Sequence, residues 1–175
     1  MELVNTYNVE RQRLIQTTDR HTPLAPGEYI VIVHALILNT NGEILIQQRA
    51  NDKSLWANLW DISCSGAPIA GETSAEGIAR EIKEELGWSI DFDHIRPILT
   101  ANFDHGFSDY YVYQLDKSLA IADIQYNTQE IQAINWVTMP EILALIEQDK
   151  FVPYKPSFLQ AILACAEDFT EINPT

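Results

Sequence analysis

The sequence predicts an α+β protein with a central mixed β-sheet, and three observations favour this class. Runs rich in β-branched and aromatic residues lie before and after one amphipathic helical segment, and two further helical segments close the chain. Strands and helices do not alternate regularly, as they would in a parallel βαβ array. No internal repeat or low-complexity tract interrupts the 175 residues, so we expect an ordinary globular core.

The segments before the central helix are predicted to be strands because β-branched residues dominate them and turn residues separate them. Asn41-Gly42 is a strong hairpin signal, and Pro26-Gly27 marks a break between an N-terminal β extension, residues 1–28, and the main domain, residues 29–170. The predicted strands are Leu3–Tyr7, Arg13–Thr18, Tyr29–Leu38 and Ile44–Gln48. Residues 49–71 are predicted to form a long loop with one short strand.

The central helix is predicted at about Thr73–Leu86, with Gly87 as its natural stop. Apolar or small residues recur on one stripe at helical spacing; they are Ala75, Ile78, Ala79, Ile82 and Leu86. Later strands are expected at Ile95–Ala101, Asp109–Leu115 and Ile131–Val137, and helices at Glu141–Gln148 and Ser157–Phe169.

The composition limits the partners and the compartment. Acidic residues number 25 against 11 basic ones, a net charge of −14, which argues against binding a nucleic acid polymer or an anionic membrane. No apolar run is long enough to cross a bilayer, and the first residues lack a secretory signal. The two cysteines, Cys64 and Cys165, are too few for a disulfide framework, so we expect a reducing, cytoplasmic setting.

Three glutamates on the predicted helix carry the strongest chemical signal. Glu81, Glu84 and Glu85 are spaced i, i+3, i+4, so their carboxylates share one face, away from the apolar stripe. Like charges this close repel one another, and a hard divalent cation with oxygen ligands would turn that repulsion into binding. A solvated acidic helix face is the alternative that spacing alone leaves open.

The segment Gly66 to Trp88 resembles the Nudix box, G-x5-E-x7-R-E-U-x-E-E-x-G-U, where U is a bulky apolar residue. Every fixed position is filled, and only Trp88 departs mildly, since the family prefers an aliphatic residue there. Such a coincidence is expected about once in a million chains of this length. The resemblance covers roughly residues 29 to 150. The matching residues are Gly66, Glu72, Arg80, Glu81, Ile82, Glu84, Glu85, Gly87 and Trp88.

The resemblance implies a Nudix-type α/β/α sandwich in residues 29–170 and a hydrolase that cleaves the diphosphate linkage of a nucleoside diphosphate joined to another group. It implies a small phosphorylated substrate, Mg²⁺ as cofactor with Mn²⁺ as a substitute, and an arginine that holds one of the carboxylates. The implied metal ligands are Glu81, Glu84, Glu85 and the backbone carbonyl of Ser65; the implied holding residue is Arg80.

Two roles stay open. The general base of the family varies, and the candidates here are Glu84, Glu85 and, from a later loop, Glu130. Arg49 ends a strand just before the long loop and is a candidate for a substrate phosphate, although a surface arginine is the commoner case.

Two alternatives to hydrolysis are considered. Isopentenyl-diphosphate isomerases resemble the stretch around residues 60–72, but they use a cysteine directly before the loop glycine, where this chain has Ser65, with Cys64 displaced by one residue. A catalytically silent, ligand-sensing domain usually loses a box glutamate, and this chain keeps all of them. A homodimer is a further expectation, because relatives commonly form one.

Overall fold

The computed structural model describes residues 2–92, 95–117 and 119–168, with the backbone alone for 167 and 168. The strands are β1 (Leu3–Tyr7), β2 (Arg13–Asp19), β3 (Ile30–Leu38), β4 (Ile44–Arg49), β5 (Trp60–Asp61), β6 (Cys64–Gly66), β7 (Leu99–Phe103), β8 (Gly106–Gln114) and β9 (Ile131–Val137). The helices are α1 (Ser74–Leu86), α2 (Met139–Glu147) and α3 (Pro156–Asp168), with a 3₁₀ turn at Ile121–Asp123. No helix in these residues combines the length and the apolar character needed to span a bilayer.

Strand β3 is the centre of a seven-stranded mixed sheet, as predicted. It pairs in parallel with β8 along its whole length and antiparallel with β6. Strand β7 extends the sheet beyond β8, and β4 carries β5 and β9 on the other side. The predicted Asn41-Gly42 turn joins β3 to β4, with Gly42 in the left-handed region, but the two strands share only the Leu38–Ile44 pair. They diverge because β6 takes the place beside β3.

Alternation along β3 divides the core into two layers, which confirms the predicted sandwich. Val33 and Ile37 face one way and pack with the apolar stripe of α1, including Ile78 and Ile82. Leu36 faces the opposite way and packs in a second cluster that contains residues of α2 and α3. Helices therefore cover both faces of the sheet.

The structure corrects several predicted boundaries. The 49–71 loop contains two short strands, β5 and β6, instead of one. Strand β7 begins at Leu99, after Pro97, which has no amide hydrogen to give to a strand ladder. Strand β8 begins three residues before the prediction, and α2 begins at Met139 because Pro140 fits the first helical turn. The predicted end of the last helix, Phe169, lies outside the described residues.

The N-terminal hairpin, β1 with β2, forms a separate two-stranded sheet. It contacts the main sheet through short bridges, at Val4–Ile69 and Tyr7–Tyr29. An ion pair between the half-buried Arg11 in the hairpin turn and the fully buried Asp109 of β8 fixes its far end. The hairpin is thus attached at both of its ends.

Candidate active site

A cleft of about 750 Å³ opens beside helix α1, between the ends of β4 and β6 and the N-terminal hairpin. Its walls come from segments far apart in sequence. All seven residues predicted for the site line it: Arg49, Ser65, Arg80, Glu81, Glu84, Glu85 and Glu130. The fold therefore brings the predicted residues together, while their chemical roles stay predictions.

Local signals explain where the glutamate-bearing helix begins and ends. Thr73 is the N-cap, its side chain accepting the Glu76 amide at 3.2 Å while the Glu76 carboxylate accepts the Thr73 amide at 2.8 Å. Gly87 ends the helix in the left-handed conformation, φ 69°, which favours glycine. Because Ile78 and Ile82 are fully buried on the sheet side, the carboxylates are turned toward the cleft.

Arg80 is the positive charge at the centre of the carboxylate cluster. Its guanidinium binds Glu72 at 2.9 Å, Glu81 at 3.1 Å and Glu84 at 3.0 Å, and donates to the Ala67 carbonyl at 2.9 Å. Burial alone would lower the pKa of Arg80, but the hydrogen bonds and charges of these carboxylates outweigh it and raise the pKa above its ordinary value. Arg80 therefore stays charged and orders the carboxylates around it.

Glu81 packs tightly against the loop that precedes the helix. Its side chain is only 8% exposed, and a Cβ atom at Gly66 would overlap its carboxyl group. A side chain at position 66 would therefore displace the carboxyl group of Glu81. Burial raises the pKa of Glu81, although Arg80 opposes the rise.

Glu85 lies deeper in the cleft than Glu84. It accepts a hydrogen bond from Gln47 at 3.0 Å and contacts the thiol of Cys64, and burial together with the charge of Glu81 raises its pKa to about 7. Cys64 is fully buried, and burial raises the pKa of its thiol well above the ordinary value, so the thiol stays protonated. Glu84, by contrast, is 57% exposed at the rim.

The donor chemistry of the cleft fits a hard divalent cation. In the part of the chain that the structure describes, no three acidic, histidine or cysteine side chains already converge on one point. The carboxylates of Glu81 and Glu84 are bonded to Arg80, and that of Glu85 is bonded to Gln47. Burial raises the pKa values of Glu81 and Glu85, so their negative charge is costly in the metal-free protein. Carboxylate oxygens, beside the Ser65 backbone, match the ligand preferences of Mg²⁺ and Mn²⁺.

The opposite wall carries paired charges. Glu130 forms an ion pair with Lys53, and Arg49 donates to the Leu55 carbonyl at 3.1 Å and contacts Asp61 at 3.5 Å. Asp61 is itself buried, and burial raises its pKa to about 6 despite its hydrogen bonds and the neighbouring arginine. Arg49 is thus held in place at the cleft wall.

Sequence reasoning missed several residues of the cleft. Gln47 and Lys53 flank predicted residues but match no motif position, and no spacing rule would have selected them. Glu2, Arg20 and His21 come from the N-terminal hairpin, which the resemblance did not cover. Only the docking of that hairpin beside Gly66 and Glu81 reveals them.

Comparisons with known proteins agree with this arrangement. A family model described as the NUDIX domain matches residues 28–161. A Nudix hydrolase of Listeria innocua is 38% identical over 154 residues, which are 88% of this chain and 90% of the relative. A Nudix hydrolase of Deinococcus radiodurans is 32% identical over 148 residues, 83% of this chain and 82% of the relative.

The fold also matches a solved structure. The crystal structure of DR0079 from Deinococcus radiodurans superposes with a TM-score of 0.72, covering 94% of this chain and 99% of that one. At 24% sequence identity, this likeness concerns the fold.

Proposed function

This chain belongs to the Nudix family, and on that premise we propose that it is a Mg²⁺-dependent hydrolase of a small phosphorylated substrate. The bond cleaved is a diphosphate linkage in a nucleoside diphosphate joined to another group. The observation that carries the proposal is the complete carboxylate set, Glu81, Glu84 and Glu85, lining one cleft around Arg80. Mn²⁺ is the expected substitute for Mg²⁺.

The proposed metal ligands are Glu81, Glu84, Glu85 and the backbone carbonyl of Ser65. When bound, the ion supplies positive charge against the phosphoryl oxygens and makes a nearby water more acidic. The combined negative charge of the carboxylates attracts a divalent cation more strongly than a monovalent one.

Arg80 acts as a positioning residue in this mechanism. Its bonds to Glu81 and Glu84 keep both carboxylates beside the cleft before substrate arrives. Glu72 shares the same guanidinium and also accepts the Ile69 amide at 2.9 Å, which ties the helix to the preceding loop.

A carboxylate near the attacking water takes its proton. Glu84, Glu85 and Glu130 all line the cleft and remain the three candidates for this general base. Arg49 is proposed to bind a substrate phosphate, supported by its place on the cleft wall and by the fit of a guanidinium to phosphate oxygens.

The proposal is tested with a panel of nucleoside diphosphate derivatives incubated with Mg²⁺ and a coupled phosphatase that releases inorganic phosphate. We expect at least one compound to be turned over by the wild type and scarcely by Glu85→Gln. Glutamine variants of Glu84 and Glu130 are assayed on that compound, and Mn²⁺ binding is measured beside turnover. The base is then the residue whose substitution abolishes turnover while the metal still binds. No turnover across the panel would contradict the proposal.

The isomerase alternative is disfavoured by the local structure. Ser65 occupies the position before Gly66, and the displaced Cys64 is fully buried with its thiol held in the protonated form. A silent sensing domain is disfavoured because no box carboxylate is lost.

Four wider proposals accompany the activity. We propose that residues 1–28 form an extension to a hydrolase domain of residues 29–170, and that the protein works in the cytoplasm, which its two free thiols support. We also propose a homodimer; Val9 and Ile15, both exposed on the hairpin, offer apolar surface for it. The net charge of −14 supports the absence of nucleic acid and membrane partners.

A further inference from the structure

The N-terminal hairpin forms one wall of the proposed active site. Glu2, Arg20 and His21 line the cleft, together with the glutamates of α1. These three residues precede the segment, residues 28–161, that matches the family model. The wall thus comes from outside the segment that the family model matches, and its charged residues need a separate explanation.

The hairpin is bonded directly to the loop that leads into the glutamate-bearing helix. Asn5 is nearly fully buried; its side-chain amide donates to the Glu72 carbonyl at 3.1 Å, and its side-chain oxygen accepts the Gly71 amide at 3.2 Å. The Ala70 amide also donates to the Leu3 carbonyl at 2.7 Å. These bonds fix strand β1 against the box loop.

The register of the hairpin then sets the position of Arg20. Leu3 pairs with Asp19, so the next residues, Glu2 and Arg20, lie at the open end of the ladder, beside the cleft. The Arg20 amide donates to the Glu2 carbonyl at 2.9 Å, which continues the ladder by one bond. The backbone of Arg20 is thus fixed relative to the carboxylate cluster.

Arg20 has weaker ion-pair partners than the other arginines and the lysine that line the cleft. Arg80 binds three carboxylates, Lys53 is paired with Glu130, and Arg49 is held by Asp61 and a carbonyl. Arg20 contacts Glu2 at 3.4 Å, and both side chains are more than one third exposed. Such a surface pair is weak and exchanges readily for a stronger anion.

We propose that Arg20 is a substrate-binding residue. It donates hydrogen bonds to the phosphate oxygens of the diphosphate group, across the cleft from helix α1. A guanidinium presents parallel donors that match two phosphate oxygens, and this bond is stronger than the exposed contact with Glu2. Arg20 and Glu81 line the same cleft, so a diphosphate held near the proposed metal ligands faces the guanidinium. This inference rests on the proposed function, because it takes a diphosphate as the ligand.

The first test measures binding of methylenediphosphonate, a diphosphate analogue without a hydrolysable bridge, by calorimetry at saturating Mn²⁺. Arg20→Gln is compared with Arg13→Gln, which removes the same charge from an exposed site on the same hairpin, away from the cleft. We expect Arg20→Gln to weaken binding at least about tenfold, as the loss of one charge-assisted bond implies, and Arg13→Gln to change it less than about twofold. Equal affinity of wild type and Arg20→Gln would overturn the inference.

The second test excludes an indirect effect through the metal. Mn²⁺ binding to the protein alone should be unchanged or slightly tighter in Arg20→Gln, because a positive charge near Glu81 has been removed. On a panel substrate, the KM should rise more than kcat falls, and Arg20→Lys should recover part of the affinity. A loss of diphosphonate binding that merely follows a loss of Mn²⁺ binding would overturn the inference.

The two proposals fail in different ways. Turnover of a panel substrate with the same KM in wild type and Arg20→Gln overturns the role of Arg20 and leaves the hydrolase intact. If the diphosphonate binds in a way that depends on Arg20 but no panel compound is turned over, the role of Arg20 is supported and the proposed hydrolase activity is overturned.

Discussion

At the scale of single residues, the three clustered glutamates occupy different environments although the sequence pattern treats them alike. Glu81 is packed against Gly66, Glu85 bonds with Gln47 deep in the cleft, and Glu84 reaches the exposed rim. A carboxylate buried beside another negative charge is costly to the folded protein without a cation. The negative charge that metal binding needs at Glu81 and Glu85 is therefore the same charge that destabilises the metal-free protein.

The variant Glu85→Gln should separate the effect of this charge on turnover from its effect on stability. Glutamine keeps the size and the helix propensity of glutamate, and it removes a charge that burial and Glu81 disfavour, so the metal-free protein should be as stable or more stable. Turnover should fall at least about a hundredfold, because a ligand for transition-state charge is lost. Thermal melts without metal and turnover with Mg²⁺ measure the two effects. An unfolded variant, or turnover within a few-fold of wild type, would make Glu85 a structural residue.

Asp61 predicts a pH dependence of stability. Burial raises its folded pKa to about 6 from an ordinary value near 3.8. Between about pH 4 and pH 6 the folded protein keeps a proton that the unfolded chain releases, so this group's contribution falls as the pH rises through that window.

Asp61→Asn removes this titration while keeping an oxygen that can accept from the Ile62 amide and Tyr154. The unfolding free energy of the wild type, relative to the variant, should decrease by about 1–3 kcal/mol from pH 4 to pH 7 and then level off. Denaturant titrations at several pH values measure it. A difference that stays flat, or rises with pH, would contradict the prediction.

At the scale of elements, the sequence predicted those parts whose signals are local. Helix α1 carries its own start in Thr73, its stop in Gly87 and a complete apolar stripe, so its position needed no tertiary information. Strands β5 and β6 were not separable in advance. Apart from Trp60, their residues, such as Asp61 and Ser65, are polar or small, and only pairing with β4 and β3 makes them strands.

The same reasoning explains which site residues were predictable. The glutamates and Arg80 lie on one helix, where spacing fixes their geometry. Arg20 reaches the cleft only because Asn5 bonds with Gly71 and Glu72, a contact across more than 60 residues that no periodic pattern encodes.

Ile82→Ala tests the apolar side of the helix whose cleft side carries Glu85. Ile82 is fully buried in the cluster that joins α1 to the sheet, so the truncation should lower the unfolding free energy by about 2–5 kcal/mol by opening a cavity. Mn²⁺ binding, measured on the fraction that remains folded, should change little. A negligible loss of stability would mean that the helix is not held by its apolar stripe.

At the scale of the whole molecule, the hairpin is fixed by an ion pair between its turn and strand β8 of the main sheet. Asp109 is fully buried and is bound by Arg11, Ser74 and Thr100, and Arg11 also lies over the ring of Phe107 at 5.6 Å. Strand β8, helix α1 and the hairpin therefore share one polar centre.

Arg11→Met should leave Asp109 buried with hydroxyl partners alone and lower the unfolding free energy by about 2–4 kcal/mol. Adding Asp109→Asn to the same chain should recover part of that loss, because the uncompensated charge is gone. Denaturant unfolding of both single variants and the double variant measures the coupling. Strictly additive losses would show that the two residues do not stabilise each other.

The central parallel pairing of β3 with β8 has a consequence for synthesis. Ile30 cannot meet its partner Gly106 until the chain between them has been made. At roughly 5–20 residues per second, translation leaves the apolar strand waiting on the order of 4–15 s before β8 emerges. The hairpin β1–β2 and the turn into β4 need only local contacts, so we expect them to form while β3 still lacks its parallel partner. Slow translation, low temperature or a shortage of free chaperones should therefore lower the yield of folded protein more than its final stability would suggest.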